Sequence, residues 1–141
     1  MTAQSAAEPP RLYPTFRYRD APAMIDWLVE TLGFSVRARY EENGVVHHAE
    51  LSLGSSMIML GSVRDNEYGR MVGEPGEQGG KSVYVAVDNA DAAYARARAA
   101  GATILKELAD QDYGSRDFIC ADPEGNVWSV GTYWPKADDK P

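Results

Sequence analysis

Residues 20–33 read DAPAMIDWLVETLG, and residues 88–101 read DNADAAYARARAAG. Each run opens on an aspartate and closes on a glycine thirteen positions later. A carboxylate at the start of a helix can accept from its unpaired N–H groups, and a glycine just past the end can take the left-handed conformation that stops it. Pro22 falls in the first turn, where its missing N–H costs little. Met24, Ile25, Leu28, Val29 and Leu32 recur at helical spacing and form one apolar stripe. The two runs therefore predict two helices, capped by Asp20 and Asp88.

The flanks repeat as well. An alternating strand precedes each helix, YPTFRYR (13–19) and SVYVAV (82–87), and another follows each glycine, FSVRARY (34–40) and ATILKEL (102–108). Two further strands complete each half. In the first they are VVHHAELSLG, after the turn EENG, and MIMLGSV; in the second, SRDFICA and NVWSVGTYW, joined by the turn DPEG. The reading is α+β, with two βαβββ modules at 12–63 and 82–135. Residues 64–81, rich in glycine and charge and without apolar periodicity, read as a connector or flap, and 1–11 and 136–141 as loose tails.

Taken in order, RYRDAPAMIDWLVETLGF, HAELSLG, VYVAVDNADAA and YGSRDFICADPEGNVW resemble the vicinal oxygen chelate superfamily of glyoxalases, bleomycin resistance proteins and extradiol dioxygenases. The resemblance implies that the modules form an open, curled mixed sheet around a cleft, with the helices outside, and that the protein is a homodimer. In the metal-dependent members four strands each supply one ligand. Carried over, those positions fall on Tyr13, seven before Asp20; Ser82, six before Asp88; Ser129, four after Gly125; and Met59. Hydroxyls and a thioether are poor donors for Zn²⁺, Ni²⁺ or Fe²⁺, so neither a metal nor another cofactor is expected.

Strand alternation then selects what else faces the cleft. With Tyr13 inward, Thr15 and Arg17 follow it, while Phe16 and Tyr18 pack beneath the helix. In VVHHAELSLG the apolar face is Ala49, Leu51 and Leu53, which turns His48, Glu50 and Ser52 to the cleft and His47 to the helix side or rim. His48 and Glu50, about 7 Å apart at Cα, could form a carboxylate-oriented imidazole, which makes them the catalytic candidates. In the second module Tyr84 faces inward beside Ser82, and one of Arg116 and Asp117 reaches the cleft, unless the pair serves as a salt bridge or turn brace. Trp128, out of register with Ser129, belongs to the core. The ligand-binding candidates are Tyr13, Thr15, Arg17, His48, Glu50, Met59, Tyr84, Arg116 and Ser129.

Whole-chain properties limit the function classes. A net charge of −7 over 141 residues disfavours a phosphate-backbone partner and leans toward cationic or neutral ligands. There is no GxxxxGK[ST] loop and no GxSxG elbow. The run Gly79-Gly80-Lys81-Ser82 leads into a strand, so it offers no helix N-terminus to a phosphate. The lone Cys120 sits in the apolar run FICA and reads as a buried hydrophobe in a reducing compartment. Without an apolar leader or a span of bilayer length, the chain reads as cytoplasmic, with no membrane partner. The expected function is metal-free sequestration of a small organic molecule, an antibiotic or a planar metabolite. The alternative is an enzyme of the superfamily, acting through a metal as lyase, isomerase or dioxygenase, or through His48 and Glu50.

Overall fold

The computed structural model describes residues 8–75 and 80–136, so the outer parts of both expected tails and residues 76–79 of the expected connector lie outside the described residues. The first module runs β1 (Thr15–Tyr18), α1 (Ala21–Trp27, continuing as a π-helical turn over Leu28–Leu32), β2 (Ser35–Glu42), β3 (Val45–Leu53) and β4 (Ser56–Ser62). A short helix, α2 (Glu67–Val72), follows. The second module runs β5 (Val83–Ala86), α3 (Ala90–Ala99), β6 (Thr103–Asp110), β7 (Arg116–Ala121) and β8 (Val127–Gly131). Each module builds its own open four-stranded sheet, in the orders β1-β4-β3-β2 and β5-β8-β7-β6. The outer pairs β1/β4 and β5/β8 are parallel and the rest antiparallel, so both sheets are mixed. The architecture is the expected α+β pair of βαβββ modules.

Local chemistry explains the elements. The Asp20 carboxylate accepts from Ala23 N at 3.2 Å, and Gly33 stops the helix at φ +86°. The predicted stripe is buried at Met24, Ile25 and Leu28, over a sheet face of Tyr18, Ala49, Leu51, Ile58 and Leu60. Each such aliphatic side chain contributes about 1.5–3 kcal/mol on burial. The EENG turn closes the β2–β3 hairpin with Asn43 and Gly44 both at positive φ (53° and 79°), the backbone that a two-residue hairpin of matching twist requires.

The second helix departs from expectation at its start. Its cap is Asn89, which accepts from Ala92 N at 3.0 Å, and not Asp88. Asn and Asp cap about equally well, so neighbouring Asp-Asn residues leave the choice to the strand that feeds the helix. Because α3 is alanine-rich, the sheet supplies the bulk of that core through Phe118 and Trp128, and Tyr94 meets Phe118 edge-on at 5.2 Å. Trp128 is fully buried, as its alternation implied.

The connector also differs. Its first part forms α2, capped by the Asn66 side chain on Gly69 N (2.8 Å) and ended at Gly73. The chain divides into two compact units that part between Gly73 and Glu74, so α2 belongs with the first. Among the described residues, no helix is long and apolar enough to cross a membrane.

Candidate functional site

On the sheet face opposite α1, strand register sets Thr15 beside Met59 and Met59 beside Glu50, and on the next row Arg17 beside Gly61. A pocket of about 180 Å³ opens there. Thr15, Arg17, His48 and Met59 project into it from the sheet, and Phe16, His47 and Leu60 line it along the strands. Arg64 and Asn66, from the segment that leads into α2, and Tyr68, in its first turn, supply the opposite wall.

That wall is held by Arg17. Its guanidinium donates to the carbonyl oxygen of Arg64 at 2.6 Å and reaches that of Gly73, past the end of α2, at 3.4 Å. A cation at a helix C-terminus satisfies carbonyls that have no partner within the helix. Gly69 is buried directly over this group. A Cβ there would stand 2.6 Å from Arg17 Nη2 and 2.6 Å from the Arg64 oxygen, so only glycine lets α2 sit down. The Tyr68 and Thr15 hydroxyls stand 3.5 Å apart across the pocket.

His48 and Glu50 meet on the same face. His48 Nε2 lies 3.0 Å from Glu50 Oε2, and Glu50 Oε1 accepts from Arg37 Nη1 at 2.8 Å. A carboxylate only accepts, so Nε2 carries a proton toward it, and Nδ1 has no partner among the described residues. The His48 hydrogen bond, and after it the Arg37 charge, hold the Glu50 carboxyl below the usual carboxylate range. Glu50 thus remains an anion that orients the imidazole, the arrangement of a general base or a hydrogen-bond anchor.

The second module fills the equivalent face with its own side chains. Tyr84 stands beside Ser129, and its hydroxyl donates to Tyr133 O at 2.8 Å. Gly131 makes room for it, since a Cβ there would lie 2.8 Å from that hydroxyl and 2.6 Å from Asp117 Cβ. Asp117, buried, accepts from the Tyr113 hydroxyl at 2.8 Å, which raises the Tyr113 pKa. Arg116 turns to the other side. It forms a forked pair with Asp91 at the start of α3 (2.9 and 3.1 Å) and a further bond to Asp110 (3.1 Å), so both ends of its guanidinium are committed to carboxylates.

Of the residues singled out from sequence, the structure gathers Thr15, Arg17, His48 and Met59 at one pocket, with Glu50 bonded behind His48. Tyr13 precedes β1 and does not line it. Tyr84, Ser129 and Arg116 lie in the second unit. Sequence reasoning missed the wall from Arg64 to Tyr68, although Asn66 and Gly73 stand at cap and stop positions for a short helix. His47, expected on the helix side or the rim, lines the pocket, and its Nδ1 meets Arg64 Nη1 at 3.1 Å.

Residues 12–130 match the family model described as the glyoxalase/bleomycin resistance protein/dioxygenase superfamily. The chain belongs to this superfamily. An uncharacterized protein of Mycobacterium bovis is 32% identical to it over 125 residues, which cover 86% of this chain and 82% of the relative. Among solved structures, TioX from Micromonospora sp. ML1 is 29% identical with a TM-score of 0.71, covering 87% of this chain and 99% of TioX. A glyoxalase/bleomycin resistance protein/dioxygenase family enzyme from Burkholderia phytofirmans PsJN is 25% identical with a TM-score of 0.68, covering 84% and 94%.

Proteins of this superfamily often hold a metal, so the donor set decides what this member could bind. The positions that the resemblance assigns to metal ligands carry Tyr13 and Met59 in the first unit and Ser82 and Ser129 in the second, and hydroxyls and a thioether are poor donors for a divalent first-row cation. Among the described residues, no three His, Cys, Asp or Glu side chains group so as to hold one elsewhere. Cys120 is buried, and its thiol is pushed up to about 11, chiefly by that burial and then by the nearby Asp122 charge. At neutral pH it is neither a thiolate ligand nor a nucleophile.

Proposed function

We propose that the first module binds and sequesters a small organic molecule in its pocket, without the help of a metal. The observation that carries this reading is the pocket itself. About 180 Å³ is lined by Met59 and Tyr68 beside the backbone of Phe16 and Leu60, with polar anchors at Thr15, Arg17 and His48, and α2 is folded against it. An apolar hollow with a few convergent polar groups is the usual form of a small-molecule site. An antibiotic or a planar metabolite is the ligand class, and the protein works as a cytoplasmic homodimer. Native mass spectrometry with elemental analysis of the purified protein tests this. A co-purified organic molecule and less than stoichiometric metal are expected; an ion that survives dialysis at one per chain contradicts it.

A second reading, catalysis, is favoured by one observation: the 3.0 Å bond between His48 and Glu50, which leaves His48 Nδ1 without a partner among the described residues. The Burkholderia relative is called an enzyme, and that word applies to the relative. The two readings separate on His48→Ala. Sequestration loses affinity in proportion to the lost anchor, whereas catalysis loses turnover with affinity nearly intact.

A further inference from the structure

The chain carries a net charge of −7, yet the basic side chains lining the pocket are Arg17, Arg64, His47 and His48, and the lining includes no Asp or Glu. The two guanidinium charges are not neutralised locally. Arg17 spends its bonds on two neutral carbonyl oxygens, those of Arg64 and Gly73. Arg64 donates to His47 Nδ1 at 3.1 Å. A guanidinium can only donate, so that nitrogen accepts, and His47 Nε2 on the far side of the ring lies 3.8 Å from Glu42. The carboxylate beside His48 is paired to Arg37. Two permanent cations with spare N–H donors therefore face a hollow that Met59 and Tyr68 also line.

We infer that this pocket selects an organic anion about one ring in size, the acid group seated on Arg17 and Arg64 and the ring on Met59 and Tyr68. The inference rests on the binding reading above and names its ligand class. The size follows from volume: a cavity of about 150 Å³ takes a benzene molecule, and this pocket is about 180 Å³. The charge follows from geometry, because a guanidinium presents N–H groups in a fork that matches an acid group and remains cationic at every working pH. The acidity of the whole chain, which leaned toward cationic ligands, does not describe the field inside this pocket.

Four probes of one shape test the inference by calorimetric titration: benzoate, phenylphosphonate, benzamide and benzylammonium. Benzoate or phenylphosphonate should bind at least about tenfold more tightly than benzamide, equivalent to about 1.4 kcal/mol, with benzylammonium weakest. The order of the two acids tells carboxylate from phosphonate selection. Arg64→Gln, at an exposed position that keeps the backbone oxygen bound by Arg17, should erase most of the acid preference, weakening benzoate by more than benzamide. Equal binding of benzoate and benzamide, a preference for benzylammonium, or an acid preference untouched by Arg64→Gln overturns the inference but leaves a binding pocket. If none of the four binds at millimolar concentration, the pocket reading falls with it.

Discussion

Replacing Asp122 with alanine should be among the most damaging single changes in this chain, and its cost can be worked from the DPEG turn. The buried carboxylate accepts from Glu124 N (2.9 Å), Asn126 N (3.0 Å), Asn126 Nδ2 (3.0 Å) and Trp128 Nε1 (3.1 Å). Hydrogen bonds to a charged acceptor contribute about 1.5–3 kcal/mol each, and a buried donor left unmet costs about 1–3 kcal/mol. Glu124 and Asn126 are partly exposed, so water recovers much of their loss, whereas the indole N–H of fully buried Trp128 cannot be reached. We expect about 4 kcal/mol in all, hence a fall in Tm of about 15 °C for a domain of this length. Thermal unfolding by circular dichroism, checked with guanidinium titration, measures it. Asp122→Asn should cost about half as much, because one acceptor oxygen survives while the new NH₂ meets two donors. Trp128→Phe combined with Asp122→Ala should cost less than the sum of the two, since each removes the same bond. A drop below about 3 °C for Asp122→Ala, or full additivity, would show that the carboxylate does not anchor β8.

Three further outcomes follow from other parts of the molecule. Gly69→Ala, which strengthens an ordinary helix by about 1 kcal/mol, should instead reduce amide protection across residues 64–73, because its methyl meets Arg17 and the Arg64 oxygen at 2.6 Å; greater protection contradicts the packing described. Cys120, with its thiol at about 11, should ignore a disulfide reagent at pH 8 in the folded protein and react fully in denaturant; a fast native reaction contradicts its burial. The hydrogen bond from Arg116 lowers the folded pKa of Asp91. Its contribution is therefore present above the unfolded value, about pH 3.9, and lost as pH falls through the folded value. Arg116→Gln should flatten the stability profile below pH 4, and an unchanged slope contradicts the pairing.

The repeat made the fold legible because its signals are local and periodic. Asp20 to Gly33, Asn43-Gly44 and the DPEG turn are short-range instructions, and the structure obeys each one. The shared face of His48 and Glu50 was legible for the same reason, since strand alternation has a period of two. Helix α2 was not, because six residues show no period, and what seats it is Arg17, distant in sequence and packed against Gly69. The start of α3 slipped by one residue, where two good caps stand side by side and tertiary context chooses. Arg116 stood among the cleft candidates with a salt bridge as the alternative, and its partner could not be read, because Asp91 lies on a helix that only the fold brings to β7. The charge of the pocket was furthest from view. A net charge sums the whole surface, whereas the pocket samples two arginines and two histidines and omits every carboxylate.

The central claim is that a small molecule binds in the first module with no metal. Two-dimensional amide NMR of metal-stripped protein, titrated with benzoate, tests it most directly. The account predicts saturable shifts at residues 15–17, 47–50, 59–61 and 64–70, unchanged when a chelator is added. Shifts that need a divalent cation, or that fall only on residues 82–134, would contradict it.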